Sequence, residues 1–358
     1  MKMEFLRQIF NNLNKLSREN KFLALFKPVI NAADEIYFGT DKVTTLPHIL
    51  DSMDIKRYMS LVIVALIPVV VAAVYLWGLR VLAVIAVSYI FGGLVEIIFA
   101  VARKKEIHEG FLVTGLLFPL ILPPNVPLWM VALGVMFGVV FGKEVFGGTG
   151  RNIFNPAIVG RIFLSVAFPS AMTTFWRTPL NSGLGGFLKF SADAVSQATP
   201  LAAFRNEGLS ADFWNLLLGG SPGCIGETFR LGIIIGGIFL IFAKISNWRL
   251  PLSALLSVVI FAGMGNFFAP DKFAPVLFQI FSGGLLLGAF FMLTDPVTSP
   301  FTRAGKWICG VLFGFLVVLI RGLSGYVEGV MFSLLLINVF SPLIDRLVLG
   351  VKYPKIKK

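Results

Sequence analysis

Long apolar runs separated by short polar connections constrain this chain more than any other feature of its sequence. The first run begins near Tyr58, and similar runs recur to about residue 349. Each is near the length that a helix needs to cross a bilayer. Only 14% of the 358 residues are charged, whereas a soluble domain has about 25%. The chain is therefore predicted to be an all-α integral membrane protein.

The hydropathy pattern predicts about ten transmembrane helices. They are placed at 58–77, 80–102, 109–123, 126–143, 153–171, 228–246, 251–268, 275–294, 305–321 and 326–349. The third and fourth are short, and the sequence PPNVP between them predicts a rigid turn.

The ten spans divide into two halves of five around one long polar connection. This division predicts five regions, which are an N-terminal segment 1–57, a first membrane half 58–172, an extracytoplasmic loop 173–227, a second membrane half 228–350 and a tail 351–358. The polar breaks after the fourth and eighth spans resemble each other. Transporters build sites from such repeats, but both breaks fall on the same side, which does not fit an inverted repeat.

Lys and Arg are distributed unevenly between the two sides of the predicted membrane. With the N-terminus inside, 24 of the 31 basic residues fall inside, Arg161 among them, and 7 fall outside. Cytoplasmic connections carry such an excess, so both termini are predicted to be cytoplasmic. The segment 1–57 contains short amphipathic pieces, FLRQIFNNL and KFLALFKPVI, that predict contact with the membrane surface or a partner. A solvated tail is the alternative.

The same composition excludes several classes of function. The net charge of +12 comes from short clusters between apolar runs, which are typical of membrane orientation and not of a nucleic-acid groove. The chain has two cysteines, Cys224 and Cys309, and two histidines, His48 and His108. Their number and spacing argue against a disulfide framework and against zinc, iron–sulfur or haem sites. No metal site is predicted.

A few acidic residues lie in or beside apolar spans, and three of them, Glu96, Asp295 and Asp345, are candidates for a function. A carboxylate inside a bilayer costs at least about 2.5 kcal/mol, so such residues usually line a cavity, an ion path or a proton path. The alternative is a helix end that reaches water. That alternative is strongest for Asp345, which Arg346 follows, and weakest for Glu96.

The segment KEVFGGTGRNIFNPA (143–157) is dense in glycines and amides. Its glycines let the backbone approach a ligand, and Asn152 and Asn155 offer hydrogen-bond donors and acceptors. The alternative is a tight turn in which Asn155 caps a helix that begins at Pro156.

The stretch SADAVSQATP (191–200) is the most polar interruption of the apolar pattern. Asp193, Ser196, Ala198 and Thr199 give it the form D-x-x-S-x-A-T. A threonine hydroxyl can be esterified by a phosphoryl group, which would tether a phosphorylated cofactor. Chemistry alone favours a turn with Ser and Thr caps.

Several longer motifs resemble one family of membrane proteins. They are DSMDIKRYM, FGGLVEIIF, RKKEIHEGFLVTGLLFPLILPPNVPLW, KEVFGGTGRNIFNPAIVGRIF, SPGCIGE, FMLTDPVTS and EGVMFSLLLINVFSPLID. With the D-x-x-S-x-A-T run, they make the chain similar, nearly end to end, to the B subunits of Na+-translocating NADH:quinone reductases. The resemblance implies a bacterial inner membrane. The architecture also resembles the urea-transporter fold.

The resemblance implies two flavins. Thr199 is expected to carry FMN through a phosphoester, attached by a separate flavin transferase, and Gln197 stands where the usual motif has glycine. A non-covalent riboflavin is implied near Thr114, Asn152 and Asn155.

The resemblance also implies a quinone region and an ion path. Gly92 and Gly93 match the quinone region, and Glu96, Asp295 and Asp345 match the cation-linked acids. The implied function is transfer of electrons from FMN through riboflavin to ubiquinone or menaquinone, coupled to Na+ export. Because the chain lacks an NADH-binding motif, flavin and iron–sulfur subunits of a six-subunit complex would supply the electrons.

Two other functions fit parts of the sequence. One is the D subunit of the related Rnf ferredoxin:NAD oxidoreductase, which shares the fold and the attached FMN. FGGTGRN and DSMDIKRYM favour the quinone reductase. The other is a ten-span channel for small solutes, which would have no use for the D-x-x-S-x-A-T loop.

The predicted orientation can be tested at Lys189, in the outer loop. We expect a cysteine at this position, with Cys224 and Cys309 replaced by alanine, to react with a membrane-impermeant maleimide added from the outer side of intact cells. Labelling only after the cytoplasmic face is exposed would reverse the orientation.

Overall fold

The computed structural model describes residues 12, 15, 55–103, 110–180, 185–191, 197–324, 326 and 328–353. Every regular element in this part of the chain is a helix, which confirms the predicted all-helical class. Almost all of the N-terminal segment, with its two amphipathic pieces, lies outside the described residues.

The α-helices follow one another along the chain with mostly short connections. They are α1 Ile55–Trp77, α2 Arg80–Arg103, α3 Gly110–Leu120, α4 Leu128–Gly142, α5 Pro156–Ala167, α6 Pro169–Thr174, α7 Pro200–Glu207, α8 Phe213–Leu218, α9 Arg230–Phe242, α10 Arg249–Phe268, α11 Val276–Phe281, α12 Leu285–Leu287, α13 Arg303–Leu323 and α14 Val330–Lys352. Short 3₁₀ turns lie at Glu144–Phe146 and Gly185–Leu188, and a π turn lies at Gly288–Met292.

Six of these helices are long and apolar enough to cross a membrane: α1, α2, α4, α10, α13 and α14. Three more apolar helices, α3, α5 and α9, are shorter. Together they match nine of the ten predicted spans and confirm a helical membrane protein. The count of ten crossings and the urea-transporter-like arrangement stay predictions.

The predicted eighth span, 275–294, is wrong as a continuous helix. It breaks at Ser282–Gly284 between α11 and α12, and Gly283 has a φ of 60° that favours glycine. A break in a bilayer needs partners for its carbonyl groups. Arg321 supplies them, because its guanidinium donates to the carbonyl oxygens of Gln279 at 2.7 Å and Ser282 at 3.0 Å.

The closest helix pairs meet through small residues. On α4, Gly134 and Gly138 lie against α5, where an added Cβ on Gly138 would be 3.0 Å from the backbone nitrogen of Gly160. On α13, Gly310 and Gly314 lie in the same way against α10. Close approach of this kind drives helix association in lipid, where burial of apolar surface contributes little.

The two predicted halves share one apolar core. Its buried members come from α1 to α6, from α9 and α10, and from α12 to α14, together with the connections beside them. α1 packs on α9, and α5 packs on α14, so contacts between the halves run through the centre of the molecule. The division into two five-helix halves stays a prediction.

Substitution of Gly138 by alanine tests the packing of α4 on α5. The new methyl group would collide with the Pro156 carbonyl oxygen, and overpacking of this kind costs about 1–3 kcal/mol. We expect the free energy of unfolding, measured by SDS denaturation in mixed micelles, to fall by that amount. The control is Gly350→Ala on α14, which has open space around it and should not lower stability. Equal stability of the two variants would contradict the packing argument.

Candidate functional site

Thr199 lies where the polar connection gives way to α7. It is the N-cap of that helix, and its hydroxyl oxygen is 3.4 Å from the backbone nitrogen of Ala202. The first N–H groups of a helix have no partner within the helix, so a threonine at this place stabilises its start. The interpretation of this stretch as a capped turn is therefore confirmed at Thr199.

The rest of the D-x-x-S-x-A-T motif is described only in part. Gln197 and Ala198 are exposed, and Thr199 is half-buried. Asp193 and Ser196 lie outside the described residues. The structure thus locates the last three residues of the motif, Gln197, Ala198 and Thr199.

A cavity of about 430 Å³, called here the Thr199 cavity, opens beside this residue. Its volume falls in the range of small-molecule sites. Its walls combine aromatic and charged side chains, among them Arg161, Trp176, Glu227, Tyr326, Glu328 and Phe332. Flat rings and charged groups around one cavity suit a planar, polar ligand.

Arg161 is the cation of the Thr199 cavity. Its guanidinium lies 3.5 Å from a carboxylate oxygen of Glu328 and 6.0 Å from the ring centroid of Trp176. The charge count placed Arg161 on the inner side, among connections that face the cytoplasm. Its side chain lies beside Glu328 and Thr199, in connections that the same count placed outside, so the structure brings together residues that the count assigned to opposite sides. The orientation of the chain stays a prediction.

Thr114, Asn152 and Asn155, which the resemblance grouped around riboflavin, come together in the structure. With Asp295, they line a cavity of about 60 Å³, called here the Asn152 cavity. This volume is below the range of small-molecule sites. A larger neighbour of about 530 Å³, the Asp345 cavity, shares lining residues with it, including Tyr58, Asn152 and Thr294. The two cavities are therefore adjacent.

Local hydrogen bonds occupy part of the amide groups in the Asn152 cavity. The side-chain oxygen of Asn155 accepts from the backbone nitrogen of Ala157 at 3.0 Å, which confirms its predicted role as the cap of α5. The side-chain nitrogen of Asn152 donates to the carbonyl oxygen of Phe154 at 2.9 Å. The side-chain oxygen of Asn152 accepts from the backbone nitrogen of Gly150 at 3.3 Å, so both polar atoms of this amide are engaged and its second N–H hydrogen remains for a ligand.

Two buried hydroxyls face the same cavity. The hydroxyl oxygens of Thr149 and Ser246 have no hydrogen-bond partner in the described part of the chain. A buried polar group without a partner costs about 1–3 kcal/mol. These hydroxyls therefore fit a polar ligand better than an apolar one. Thr114 donates to the carbonyl oxygen of Gly110 at 3.4 Å.

Glu96 is buried and forms an ion pair with Lys143. Both side chains are less than one tenth exposed. A second pair, Arg103 and Glu144 at 2.8 Å, joins the last residue of α2 to the 3₁₀ turn that follows Lys143. Lys143 also lines the Asn152 cavity, so Glu96 is linked to that cavity through its partner.

Asp295 and Asp345 lie in the adjacent cavities and bond to nearby turns. Asp295 accepts from the hydroxyl of Thr298 at 2.9 Å. Asp345 accepts from the backbone nitrogen of Thr302 at 3.0 Å and so fixes the start of α13. Both acids thus hold local structure as well as facing a cavity.

Gly92 and Gly93 lie on α2 and contact the side chain of Phe111. A Cβ on Gly92 would be 2.6 Å from that ring, and a Cβ on Gly93 would be 3.4 Å from it. Neither glycine lines the three cavities described above. These two glycines lie where α2 packs closely on α3.

Three helices connect the two groups of cavities. Asn155, the cap of α5, lines the Asn152 cavity, and α5 carries Arg161 to the Thr199 cavity, about 9 Å further along at 1.5 Å per residue. α14 carries Met331 to the Thr199 cavity and Asp345 to the other end. α9 is preceded by Glu227 in the Thr199 cavity and carries Leu240 to the Asn152 cavity.

Sequence reasoning missed Arg161, Glu227 and Glu328 as parts of a site. Arg161 and Glu328 are 167 residues apart, so no spacing rule connects them. Glu227 stands at the end of SPGCIGE, directly before an apolar span. An acid at such a border is a signal that could have marked it.

Comparison with known proteins agrees with the resemblance read from the motifs. The B subunit of the Na+-translocating NADH-quinone reductase from Pseudoalteromonas atlantica is 35% identical over 397 residues, covering 96% of each chain. The protein of that name from Azotobacter vinelandii is 35% identical with the same coverage. Its counterpart from Neisseria meningitidis serogroup A is 33% identical and covers 96% of this chain and 95% of its own length. The sequence model of the NQR2, RnfD, RnfE family matches residues 42–353, and the chain belongs to that family.

Proposed function

We propose that this chain is the membrane flavoprotein subunit of a Na+-translocating NADH:quinone reductase of a bacterial inner membrane. Electrons would pass from FMN on Thr199, through riboflavin, to ubiquinone or menaquinone, with export of Na+. Partner subunits with flavin and iron–sulfur centres would oxidise NADH, and a flavin transferase would attach the FMN. Relatives of nearly full-length coverage that carry this name support the proposal.

The proposal for Thr199 depends on one observation: this residue lies on the wall of a cavity. If the phosphate of the cofactor were esterified to Thr199, the rest of the cofactor could occupy the cavity of about 430 Å³ beside Trp176, Tyr326 and Arg161. The start of α7 also favours a phosphate, because helix N-termini attract anions. When bound, a flavin supplies one- and two-electron transfer, and the protein supplies position and electrostatics.

The Asn152 cavity is the proposed place of riboflavin. Thr114, Asn152 and Asn155 would contact it, and the unpartnered hydroxyls of Thr149 and Ser246 favour a polar ligand there. The cavity would have to widen into the adjacent Asp345 cavity to admit a ring system. The quinone remains assigned to the region of Gly92 and Gly93 by the resemblance.

Glu96, Asp295 and Asp345 are the proposed parts of the Na+ path. Asp295 and Asp345 face adjacent cavities, and Glu96 reaches the same region through Lys143. Carboxylate oxygens are ligands that hard cations prefer. The family also contains RnfD, so a component of an ion-translocating ferredoxin:NAD oxidoreductase is the alternative.

Covalent flavin attachment can be tested on a denaturing gel. We expect the protein, co-expressed with its flavin transferase, to give a band that fluoresces under ultraviolet light. Thr199→Ala should reduce this fluorescence to background, because it removes the only oxygen that could form the ester at this position.

The matched control is Thr173→Ala, which changes another threonine of the same cavity. Its hydroxyl bonds to carbonyl groups of its own helix, so its band should keep full fluorescence. Fluorescence that survives Thr199→Ala would place the flavin elsewhere. Loss in both variants would indicate failed folding, which size-exclusion chromatography would show directly.

Removing both charges of the Glu96–Lys143 ion pair separates a role of Glu96 in the Na+ path from its contribution to the stability of the fold. Glu96→Ala leaves Lys143 buried without a partner, and we expect a loss of about 3–5 kcal/mol of stability. The double variant Glu96→Gln/Lys143→Gln should recover most of that loss in SDS denaturation.

We expect the double variant, in the assembled complex, to show much weaker stimulation of quinone reduction by Na+ than the wild type. The measurement is the quinone reduction rate over a titration of Na+ at constant ionic strength. A folded double variant with the Na+ dependence of the wild type would make Glu96 a purely structural residue.

A further inference from the structure

Two acidic side chains that line the Thr199 cavity meet a buried thiol. The sulfur of Cys224 and one carboxylate oxygen each of Glu227 and Glu328 lie within 4.8 Å of one another. An added Cβ on Gly284 would collide with oxygens of both carboxylates, so the two acids meet above this glycine. The backbone nitrogen of Gly284 donates to Glu328 at 3.1 Å.

Glu227 is the less satisfied of the two acids. It is 2% exposed, lines the cavity, and has one carboxylate oxygen with no hydrogen-bond partner among the described residues. A buried polar atom without a partner is costly, and native structures usually retain one for a ligand or a functional role. Here that atom belongs to a residue that also lines the Thr199 cavity.

Three guanidinium groups surround the pair. Arg161 from α5 contacts Glu328 at 3.5 Å. Arg230, at the start of α9, donates to the carbonyl oxygen of Leu216, and Arg321, near the end of α13, donates to the carbonyl oxygen of Gln279. Both are buried and interact electrostatically with Glu227.

This charge balance argues against a bound metal ion. Three positive groups face two carboxylates, so a cation would enter a region that is already positive. The thiol of Cys224 is a soft ligand, which suits neither Na+ nor Mg²⁺. A proton is a different case, because it forms a covalent bond with one oxygen and needs no set of ligands.

Burial, and then the nearby carboxylate of Glu328, raises the pKa of Glu227 to about 8. The guanidinium groups act in the opposite direction and lower it. The carboxyl group thus changes charge near physiological pH, where a small change of the local potential alters its protonation.

We propose that Glu227 is a redox-linked proton site, which binds a proton when negative charge enters the Thr199 cavity and releases it when that charge leaves. The inference rests on the proposed flavin at Thr199. The flavin receives its electrons from the redox centre of a partner subunit and passes the same number on, so Glu227 itself is neither oxidised nor reduced. The proton comes from water at the cavity mouth, forms an O–H bond with the Glu227 carboxylate, and returns to water on reoxidation.

The test is potentiometry of the Thr199 flavin in the assembled complex, followed by its absorption spectrum. Proton uptake on reduction makes a midpoint potential fall more steeply as pH rises. For the wild type, we expect the additional slope to begin at about pH 8, where Glu227 loses its proton in the oxidised state. Glu227→Gln should match the wild type below that pH and have the higher potential above it.

Two further variants complete the test. Glu328→Gln removes the charge that raises the pKa of Glu227, so the additional slope should begin at lower pH. This variant also decides the matter if Glu227→Gln does not fold. Glu207→Gln, an exposed carboxylate at the end of α7, is the matched control and should behave as the wild type.

The outcomes separate the two proposals. A wild-type band without flavin fluorescence contradicts flavin attachment at Thr199 and removes the basis of the inference. Normal fluorescence, with the same dependence of potential on pH in the wild type, Glu227→Gln and Glu328→Gln, overturns the proton site alone. A potential that depends on Na+ at constant pH, and loses this dependence in Glu227→Gln, would replace the proton by a cation.

Discussion

Backbone groups inside a bilayer have no water to bond, so every break in a helix must be closed by the protein itself. Arg321 closes the break between α11 and α12 by donating to the carbonyl oxygens of Gln279 and Ser282. Arg230 donates in the same way to the carbonyl oxygen of Leu216 at the end of α8. The irregular backbone around the Thr199 cavity depends on these bonds, because an unpaired carbonyl there would cost several kcal/mol.

Hydropathy predicted the helices well because a bilayer selects for length and apolar composition. It failed at Ser282–Gly284, where three small residues lie within an apolar run and an average over the run hides them. The cap at Asn155 was predictable, because an asparagine before Pro156 satisfies a local rule. The packing of α4 was also open to prediction, since Gly134, Gly138 and Gly142 repeat every four residues.

The candidate sites were predictable only as far as local motifs reach. Thr199 was found by its motif, and Thr114 joined Asn152 by resemblance. The partners that give these residues an environment come from distant parts of the chain. The contact of Arg161 with Glu328 exists only because α5 packs on α14, and no sequence pattern records that pairing.

α5 has a further consequence for the molecule as a whole. Its first turn bounds the Asn152 cavity and its middle bounds the Thr199 cavity, so a rigid shift of this one helix alters both. Occupancy of either cavity that moves α5 must change the affinity of the other, and linkage makes that coupling free energy the same in both directions. A ligand that shifts α5 in one cavity would in this way be sensed in the other, without any direct contact between the two ligands.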